Sequence, residues 1–379
     1  MPTGTDDTAT ADQGADGRVS PTQRDWRTVR GADGQMPIRN TVVVVAIAVW
    51  IGLMLIATGT GGLISLLAAA AFIVPLVLIG SLTRTVPLVV LGWMFLMGGA
   101  AMAVAYLGGE LFSVFIKSPT APLRNIVIPL TEEVLKLAPV LFVVWRWRRS
   151  GTWALGVTDV FLMAACAGVG FGLVEEAYVR HSRFGWPGQI ALLPVTEIIS
   201  GGKLIVGHAI WTSIAGATVG LGLLMRHRRS AAVLIGFSGV AWTTVDHIRT
   251  NSAPVGRDSG SGPSNVLTTI TANGWLSLWI FLALVVAAIA IDLAIGSRTL
   301  PRRPEVTMVR SGVQPTDRSS SWAFRVHRRA LAYAAFRGRR AVEPARDEVE
   351  GVAYRLVTWL VAHGGSPAPS DVASGGSPR

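Results

Sequence analysis

The run VPLVVLGWMFLMGGAAMAVAYLG, residues 86–108, contains no charged residue and decides the class of fold. An α-helix rises about 1.5 Å per residue, so roughly 20 apolar residues are enough to cross the roughly 30 Å of hydrocarbon in a bilayer. Because the hydrocarbon holds no water, such a run must satisfy its backbone hydrogen bonds internally. The stretch therefore predicts a transmembrane helix.

Comparable apolar runs lie on both sides of this segment. The 379-residue chain is 50% hydrophobic and only 15% charged, and its mean hydropathy of +0.47 excludes an ordinary soluble globular domain. About eight spans are predicted, at 41–58, 62–82, 86–108, 125–145, 156–178, 203–225, 231–248 and 273–295. The sequence therefore predicts an all-α polytopic membrane helix bundle at residues 41–297.

The two ends of the chain differ in composition from this bundle. Residues 1–40 are rich in Gly, Asp, Thr and Arg and predict a disordered cytoplasmic leader, because they cannot bury apolar surface. Residues 298–379 form a basic tail, in which 321–340 and 348–362 have the spacing of short amphipathic helices on a membrane surface. The first span begins too far into the chain for a cleaved signal peptide.

The arginines predict which way the spans run. The formal net charge of +11 would also suit a nucleic-acid-binding protein. The arginine clusters, however, precede the first span and follow the fourth, sixth and eighth, so alternating spans place all of them on one side. Positive flanks stay in the cytoplasm, which predicts an inner-membrane protein with both termini cytoplasmic. A minority lies outside, namely Arg124, Arg180, Arg183, Arg249 and Arg257.

This orientation also predicts partners. The arginines of the tail, interleaved with aromatic residues, are expected to contact anionic membrane lipids, which argues against nucleic acid as a partner. The sequence gives no indication of the oligomeric state.

Ionisable residues inside the spans are unusual, because a charge at mid-bilayer costs about 2.5–3.5 kcal/mol on insertion scales. They are Glu132, Glu133 and Lys136 in TEEVLK, Glu175 and Glu176 in GFGLVEEAYV, Lys203 and His208 in GKLIVGHAIWTS, and Asp246 and His247 in WTTVDHI. With alternating spans, all of them lie near the outer ends, whereas Asp159 and Asp292 lie near the cytoplasmic ends. The shared depth predicts one polar cavity in the outer leaflet.

Helical spacing indicates which of these side chains can meet. Lys136 lies four residues after Glu132 and three after Glu133, so it can pair with either carboxylate. A simple ion pair that only lowers the cost of insertion is the alternative interpretation. Thr212 follows His208 by four residues and is expected to orient its imidazole.

Other residues of these spans are expected to pack. Gly168, Gly170 and Gly172 recur at alternate positions, where small residues let helices approach closely. Trp211 is expected to pack beside His208. Cys166 is the single cysteine of the chain, so no internal disulfide is possible.

Such a cluster suits hydrolysis of a peptide bond. The reaction needs a general base, a donor for the oxyanion and an acid for the leaving amine, and glutamates with two histidines can supply them. The same groups could hold a divalent metal such as zinc. In that case Glu133, Glu175, His208 and His247 would be the ligands, and both mechanisms stay open.

Other functions receive less support from the residues. There is no HExxH string and no pair of intramembrane aspartates at one depth. GFSG at 236–239 resembles the serine motif of rhomboid proteases, but no later span holds a histidine to act on Ser238. A proton- or cation-coupled transporter is the main alternative, although no internal repeat is visible. A catalytically silent scaffold is a third hypothesis.

Four motifs in order resemble one known family. TEEVLK at 131–136, GFGLVEEAYV at 170–179, HAIWTSIAG at 208–216 and His247 look like the PrsW family of membrane proteases, which is distantly related to the CAAX prenyl proteases. The resemblance covers about 125–250. It implies an intramembrane protease, glutamic or metallo in type, that cleaves a membrane-anchored substrate near the outer face, as in the first cleavage of an anti-sigma factor.

The resemblance also implies residue roles. Glu132 and Glu133 would form the catalytic carboxylate pair, completed by Glu175, His208 and His247. Supporting roles would fall to Lys136, Glu176 and Thr212. Where the family often has Asn, this chain has Glu176, so the choice between Glu175 and Glu176 stays open. Lys136 replaces the later arginine of the prenyl-protease branch, which argues against a CAAX substrate.

Overall fold

Helices account for almost all of the chain that the structure describes. The computed structural model describes residues 36–115, 121–150, 155–179, 196–199, 202–225, 228–252 and 263–299. Most of the predicted leader and of the predicted basic tail, including the two amphipathic segments, lies outside these residues. The first helix begins at Met36, slightly before the predicted end of the leader.

The described residues form eight α-helices and one small sheet. In chain order these are α1 (Met36–Gly80), α2 (Leu88–Phe115), α3 (Ala121–Ser150), α4 (Val157–Val174), β1 (Glu197–Ile199), β2 (Lys203–Ile205), α5 (Gly207–Leu224), α6 (Arg229–Ser252), α7 (Pro263–Ile270) and α8 (Trp275–Thr299). A π-helical turn, Glu175–Val179, extends α4, and a 3₁₀ turn, Ala272–Gly274, precedes α8.

Six helical segments among the described residues are long and apolar enough to cross a membrane. They are Gly62–Gly80, Leu88–Leu111, Val157–Ala177, Gly207–Leu224, Arg229–Ser252 and Ala272–Ile295. Thr41–Ile56 in α1 is a shorter apolar stretch. Helix α3 is not among the six, and three charged residues interrupt its apolar sequence. The protein is thus a multi-pass, essentially all-α membrane protein, with fewer clear spans than the eight predicted.

The first two predicted spans belong to one continuous helix. Residues 41–58 and 62–82 were expected as separate spans, but α1 runs from Met36 to Gly80 without a break. The residues between the two apolar runs, TGTGG at 58–62, carry neither charge nor proline. These residues lower the helix propensity, but each keeps its backbone N–H, so the hydrogen bonding of the α-helix continues through them.

The sixth predicted span begins later than expected. Lys203–Ile205 forms strand β2 and pairs antiparallel with β1, so that Glu197 lies opposite Ile205. Gly202 and Gly207 flank the strand with φ of +73° and +72°, a conformation that glycine adopts without steric cost. The prediction that Lys203 lies within a membrane helix is therefore wrong, because the helix starts only at Gly207.

Helix α4 is the centre of the bundle. Nearly all of its residues are buried, and it packs against α1, α2, α3, α5 and α8. A Cβ on Gly98 of α2 would lie 1.9 Å from the carbonyl oxygen of Ala167, and one on Gly170 would lie 1.9 Å from that of Phe95. The predicted packing role of Gly170 is confirmed, since α2 and α4 cross with their backbones in contact.

Two buried aspartates secure the end of the bundle opposite Glu175. The carboxylate of Asp159 accepts hydrogen bonds from the backbone N–H groups of Thr85 at 2.6 Å and Val86 at 2.9 Å. Asp292 of α8 accepts from the first two backbone N–H groups of α4, at 3.0 and 2.8 Å. Asp159 precedes Glu175 by 16 positions in the sequence, which is about 24 Å of helix. Both aspartates are structural caps that lie far from the glutamate and histidine motifs.

Candidate active site

Four helices bring the motif side chains together at one end of α4. Helix α3 contributes Glu132, Glu133 and Lys136, the π-helical turn contributes Glu175, the first turn of α5 contributes His208, and α6 contributes His247. The elements that carry them are far apart in the sequence, so the cluster exists only because these helices pack around α4.

Lys136 joins two of the helices. Its Nζ is completely buried and donates hydrogen bonds to Oε1 of Glu133 at 2.6 Å and to Nδ1 of His208 at 2.8 Å. It also lies 5.0 Å from the ring centroid of Phe171 and 5.8 Å from that of Trp211, where cation–π attraction adds to its stability. The ammonium group has donors and no acceptor, so Nδ1 of His208 must accept.

This contact fixes the proton on His208. Because Nδ1 accepts, a neutral imidazole carries its hydrogen on Nε2, which donates to Oε2 of Glu175. Glu175 stands on a π-helical turn, a feature that shifts the helical register by one residue and is frequent at functional sites. The hydroxyl of Thr212 donates to the carbonyl oxygen of His208 at 2.8 Å rather than to the ring, so its role in orienting the imidazole stays a prediction.

His247 is held from two sides. Its Nδ1 lies 3.0 Å from Oε1 of Glu133, and a carboxylate can only accept, so Nδ1 carries a hydrogen. In the neutral imidazole Nε2 then keeps a lone pair. Trp211 stacks on the imidazole, with ring centroids 4.4 Å apart and planes 21° apart. The rings of His247 and His208 are 5.0 Å apart. The lone pair of Nε2 faces Oε2 of Glu132 at 3.6 Å.

The two glutamates of α3 differ in their surroundings. The side chain of Glu133 is fully buried, whereas those of Glu132 and Glu175 are 13% and 14% exposed. The Oε2 atoms of Glu132 and Glu133 are buried and accept no hydrogen bond in the part of the chain that the structure describes. The side chains of Glu132 and Glu175 are therefore partly exposed at the surface of the helix bundle, and that of Glu133 is not.

The donor set fits a divalent cation. Glu132, His208 and His247 each offer one ligand atom, and these atoms lie within 4.8 Å of one another; imidazole and carboxylate are ligands that zinc accepts. Glu133 orients His247 through Nδ1, as outer carboxylates orient metal-binding histidines. His208 would offer Nε2, because Lys136 holds Nδ1, and would lose the proton that it shares with Glu175.

The charges of the cluster support the same conclusion. With neutral imidazoles, the three carboxylates of Glu132, Glu133 and Glu175 face a single ammonium group, that of Lys136. Buried negative charge without a counter-ion is costly, so a cation of charge two would balance the cluster. The set contains Glu132, whereas the sequence predicted Glu133 and Glu175 together with the two histidines. Oε1 of Glu133 is already bound by Lys136 and His247, and Oε2 of Glu175 is paired with His208.

Three polar residues beside the site have no predicted role. The sequence predicts Asp246 as an intramembrane charge and Arg249 outside the membrane, and it gives no signal for Ser277. All three are buried, and Nε of Arg249 donates to Oδ1 of Asp246 at 2.7 Å. The spacing of three residues between Asp246 and Arg249 is the signal that could have revealed this pair.

Two further residues of the sequence motifs, Ser238 and Glu176, are not among the side chains of the cluster. Ser238 is exposed on α6 and donates to the carbonyl oxygen of Ile235 in its own helix, which gives no support to a serine nucleophile. Glu176 is half-buried on the π-helical turn, one residue beyond Glu175.

Comparison with known proteins identifies the family. The model of the PrsW family intramembrane metalloproteases matches residues 86–289, just over half of the chain, and this region includes every residue of the cluster. No curated protein and no solved structure gives a match. The match extends well beyond the four motifs and agrees with a membrane helix bundle that encloses a glutamate and histidine cluster. The chain therefore belongs to the PrsW family of intramembrane metalloproteases, and it is a protease of the membrane.

Proposed function

We propose that this protease is an endopeptidase that hydrolyses a peptide bond of a membrane-anchored protein near the outer face of the cell membrane. One observation supports this most directly. Among the described residues Oε2 of Glu132 accepts no hydrogen bond, and it lies 3.6 Å from Nε2 of His247, which has a lone pair when the imidazole is neutral. Oε2 of Glu133 is also without a hydrogen bond from the described residues, but that side chain is fully buried, so Glu132 and His247 mark the place where the cluster can take up a ligand.

Glu133 and Lys136 prepare the two histidines in this proposal. Oε1 of Glu133 holds the hydrogen of His247 on Nδ1, and Nζ of Lys136 holds the hydrogen of His208 on Nε2. Because both groups are fully buried, water does not compete for these bonds. The site is then preorganised before the substrate arrives, which is a major source of catalytic power.

Glu175 transfers protons, and His208 assists it only while Nε2 of its imidazole binds no metal. Oε2 of Glu175 shares a hydrogen with Nε2 of His208, and the glutamate is exposed enough to meet a substrate. Glu175 can accept a proton from the attacking water and return it to the leaving amine. A divalent metal such as zinc, when bound by Glu132, His208 and His247, would act as a Lewis acid and make the attacking water more acidic.

The proposal includes an orientation in the membrane. Helix α1 is continuous and can cross the membrane once, so α1 to α6 and α8 would make seven spans rather than the eight that the sequence predicts. The arginine clusters that follow α3, α5 and α8 then share one side, which is the cytoplasmic one if positive flanks stay inside, and the site lies in the outer leaflet. Residues 41–297 would be the catalytic unit, 1–40 a leader, and 298–379 a tail that contacts anionic lipids.

The substrate class follows from the chemistry and from the family resemblance. A site within the membrane can act only on a protein that enters the bilayer, and an anti-sigma factor with a membrane anchor is the expected type. Transport of protons or cations was the alternative, but the family match is to a protease.

The test compares membrane peptidomes of cells that express the wild-type protein, Glu132→Gln, Glu133→Ala or His247→Ala, with the metal content of each purified protein measured in parallel. Peptides that depend on the wild type should disappear in all three variants. Glu110→Gln, which changes an exposed glutamate of α2, is the control and should cleave normally. Wild-type cleavage by Glu133→Ala and His247→Ala would refute the proposal.

A further inference from the structure

A buried polar network lies beside the two histidines, and the proposed chemistry does not use it. At its centre is Asp246, one residue before His247 on α6 and completely buried. Its Oδ2 accepts hydrogen bonds from Nε1 of Trp211 and Oγ of Ser277, both at 2.8 Å, and its Oδ1 accepts from Nε of Arg249 at 2.7 Å. Three hydrogen bonds to one buried carboxylate, one of them from a guanidinium, fix its position firmly.

The first link from this network reaches both histidines through Trp211. The indole lies three residues after His208, stacks on the imidazole of His247 with a centroid distance of 4.4 Å, and meets the ring of His208 edge-on at 5.3 Å. The bond from its Nε1 to Asp246 sets the direction of the indole plane. Because His247 is stacked on that plane, the carboxylate controls the tilt of an imidazole that it does not touch.

The second link joins the backbone before His208 to the helix that carries His247. Nη2 of Arg249 donates to the carbonyl oxygen of Leu204 at 2.8 Å, and Leu204 lies in β2, four residues before His208. Gly274, with φ of +90°, makes room for this contact. A Cβ there would lie 2.0 Å from the Leu204 oxygen and 2.6 Å from Nη2 of Arg249.

The two links together enclose the histidines. His208 lies between Leu204 and Trp211 in the chain, and both of these residues are hydrogen-bonded to the ion pair between Asp246 and Arg249. His247 lies between Asp246 and Arg249 themselves. Ser277 of α8 fixes the same carboxylate from a third helix. Such an arrangement restricts how far His208 and His247 can separate or rotate.

We propose that Asp246 is a positioning residue of the protease, which sets the relative geometry of His208 and His247 through Trp211 and Arg249. This inference rests on the proposed function, because it takes the two histidines as active groups. Asp246 itself touches neither imidazole in the contacts described above, so it acts only through its neighbours.

The first test is kinetic and uses Trp211→Phe, which keeps an aromatic ring on His247 but removes the indole N–H. Loss of a group that orients an active histidine lowers activity by roughly 10- to 100-fold. The loss should fall on kcat, with KM changed by less than about two-fold, because substrate contacts remain. Asp246→Ala, which removes the acceptor, should give a similar loss, and the double variant with Trp211→Phe should lose little more than either single variant, since both remove the same bond.

The matched control is Trp275→Phe. It also removes an indole N–H bond, from Nε1 to the carbonyl oxygen of Gly202 at 3.1 Å, but this bond does not involve Asp246. Its kcat should equal that of the wild type. A general effect of losing a tryptophan would instead lower kcat in both variants.

The second test does not depend on activity. Protein labelled with 5-fluorotryptophan and purified in detergent gives a ¹⁹F resonance for Trp211, identified by its absence in Trp211→Phe. This resonance should shift in Asp246→Asn, while that of Trp275 stays in place. If Asp246→Asn does not fold, Ser277→Ala, which removes one donor to the same carboxylate oxygen, replaces it.

The outcomes separate the two proposals. Normal kcat in Trp211→Phe beside an inactive His247→Ala would overturn the positioning role and leave the proposed function intact. An unmoved Trp211 resonance in Asp246→Asn would overturn it as well. An active His247→Ala would overturn the proposed function itself, whatever the tryptophan variants show.

Discussion

Nζ of Lys136 lies 2.8 Å from Nδ1 of His208 and 2.6 Å from Oε1 of Glu133, so a single buried ammonium group connects the histidine of α5 with the carboxylate of α3. The sequence spacing suggests only an ion pair within one helix. The contact between helices gives the lysine a second role, since it decides which imidazole nitrogen carries the hydrogen.

Lys136→Met should therefore inactivate the enzyme and weaken the fold. Removal of the ammonium leaves Glu133 buried beside His247 alone, and loss of one partner of a buried ion pair costs about 3–5 kcal/mol. The measurement is substrate cleavage together with thermal unfolding in detergent. Lys203→Met, which changes a half-buried lysine of β2, is the control, and equal effects from both variants would contradict this role of Lys136.

Glu132→Gln and Glu133→Gln should affect metal binding differently. Glu132→Gln removes a charged metal ligand, so this purified variant should contain almost no metal. Glu133 acts only through His247, so its variant should bind metal roughly 10- to 100-fold more weakly but still detectably. Equilibrium dialysis with zinc measures both. If Glu133→Gln lost the metal and Glu132→Gln retained it, the two glutamates would have to exchange roles.

Treatment of the wild-type protein with a chelator should abolish cleavage and should leave the helix content unchanged. The bundle is held by packing around α4 and by the two aspartate caps, neither of which involves the ligand residues. Circular dichroism and cleavage, measured before chelation and after zinc is restored, test this expectation. Full cleavage by metal-free protein would favour the glutamic mechanism.

Gly168→Ala and Gly172→Ala form a matched pair on α4. A Cβ on Gly168 would lie 2.6 Å from the carbonyl oxygen of His208, whereas one on Gly172 would lie 3.6 Å from the nearest side-chain atom, Cβ of His208. Overpacking costs about 1–3 kcal/mol, so Gly168→Ala should lower the melting temperature clearly and Gly172→Ala should not. Similar melting temperatures would show that α4 and α5 can separate without cost.

Asp292→Asn should reduce stability without changing the activity of the folded protein. The carboxylate caps the N-terminus of α4, and loss of a cap and of its charge costs about 0.5–2 kcal/mol. Thermal unfolding and kcat measured on the same preparation test the prediction. A fall in kcat at unchanged stability would instead mean that this end of the bundle communicates with the site.

Much of the fold follows from hydropathy alone. Long uncharged runs such as 86–108 have to be helical in a bilayer, and most residues of the predicted spans that the structure describes are helical, although the first two spans share one helix. Hydropathy did not reveal the hairpin of β1 and β2, because the aliphatic residues of KLI suit a strand as well as a helix. The positive φ angles of Gly202 and Gly207, on either side of this segment, separate the strand from the helix that follows.

The sequence by itself determined which residues could form the cluster, because charges inside membrane helices are too costly to occur without partners. Only the tertiary structure decided how they are arranged. Adjacent residues point about 100° apart on a helix, so burial of Glu133 and exposure of Glu132 depend on how α3 is rotated against its neighbours. The contacts of Lys136 with His208 and of Asp246 with Trp211 join separate helices, and spacing along one chain contains no information about them.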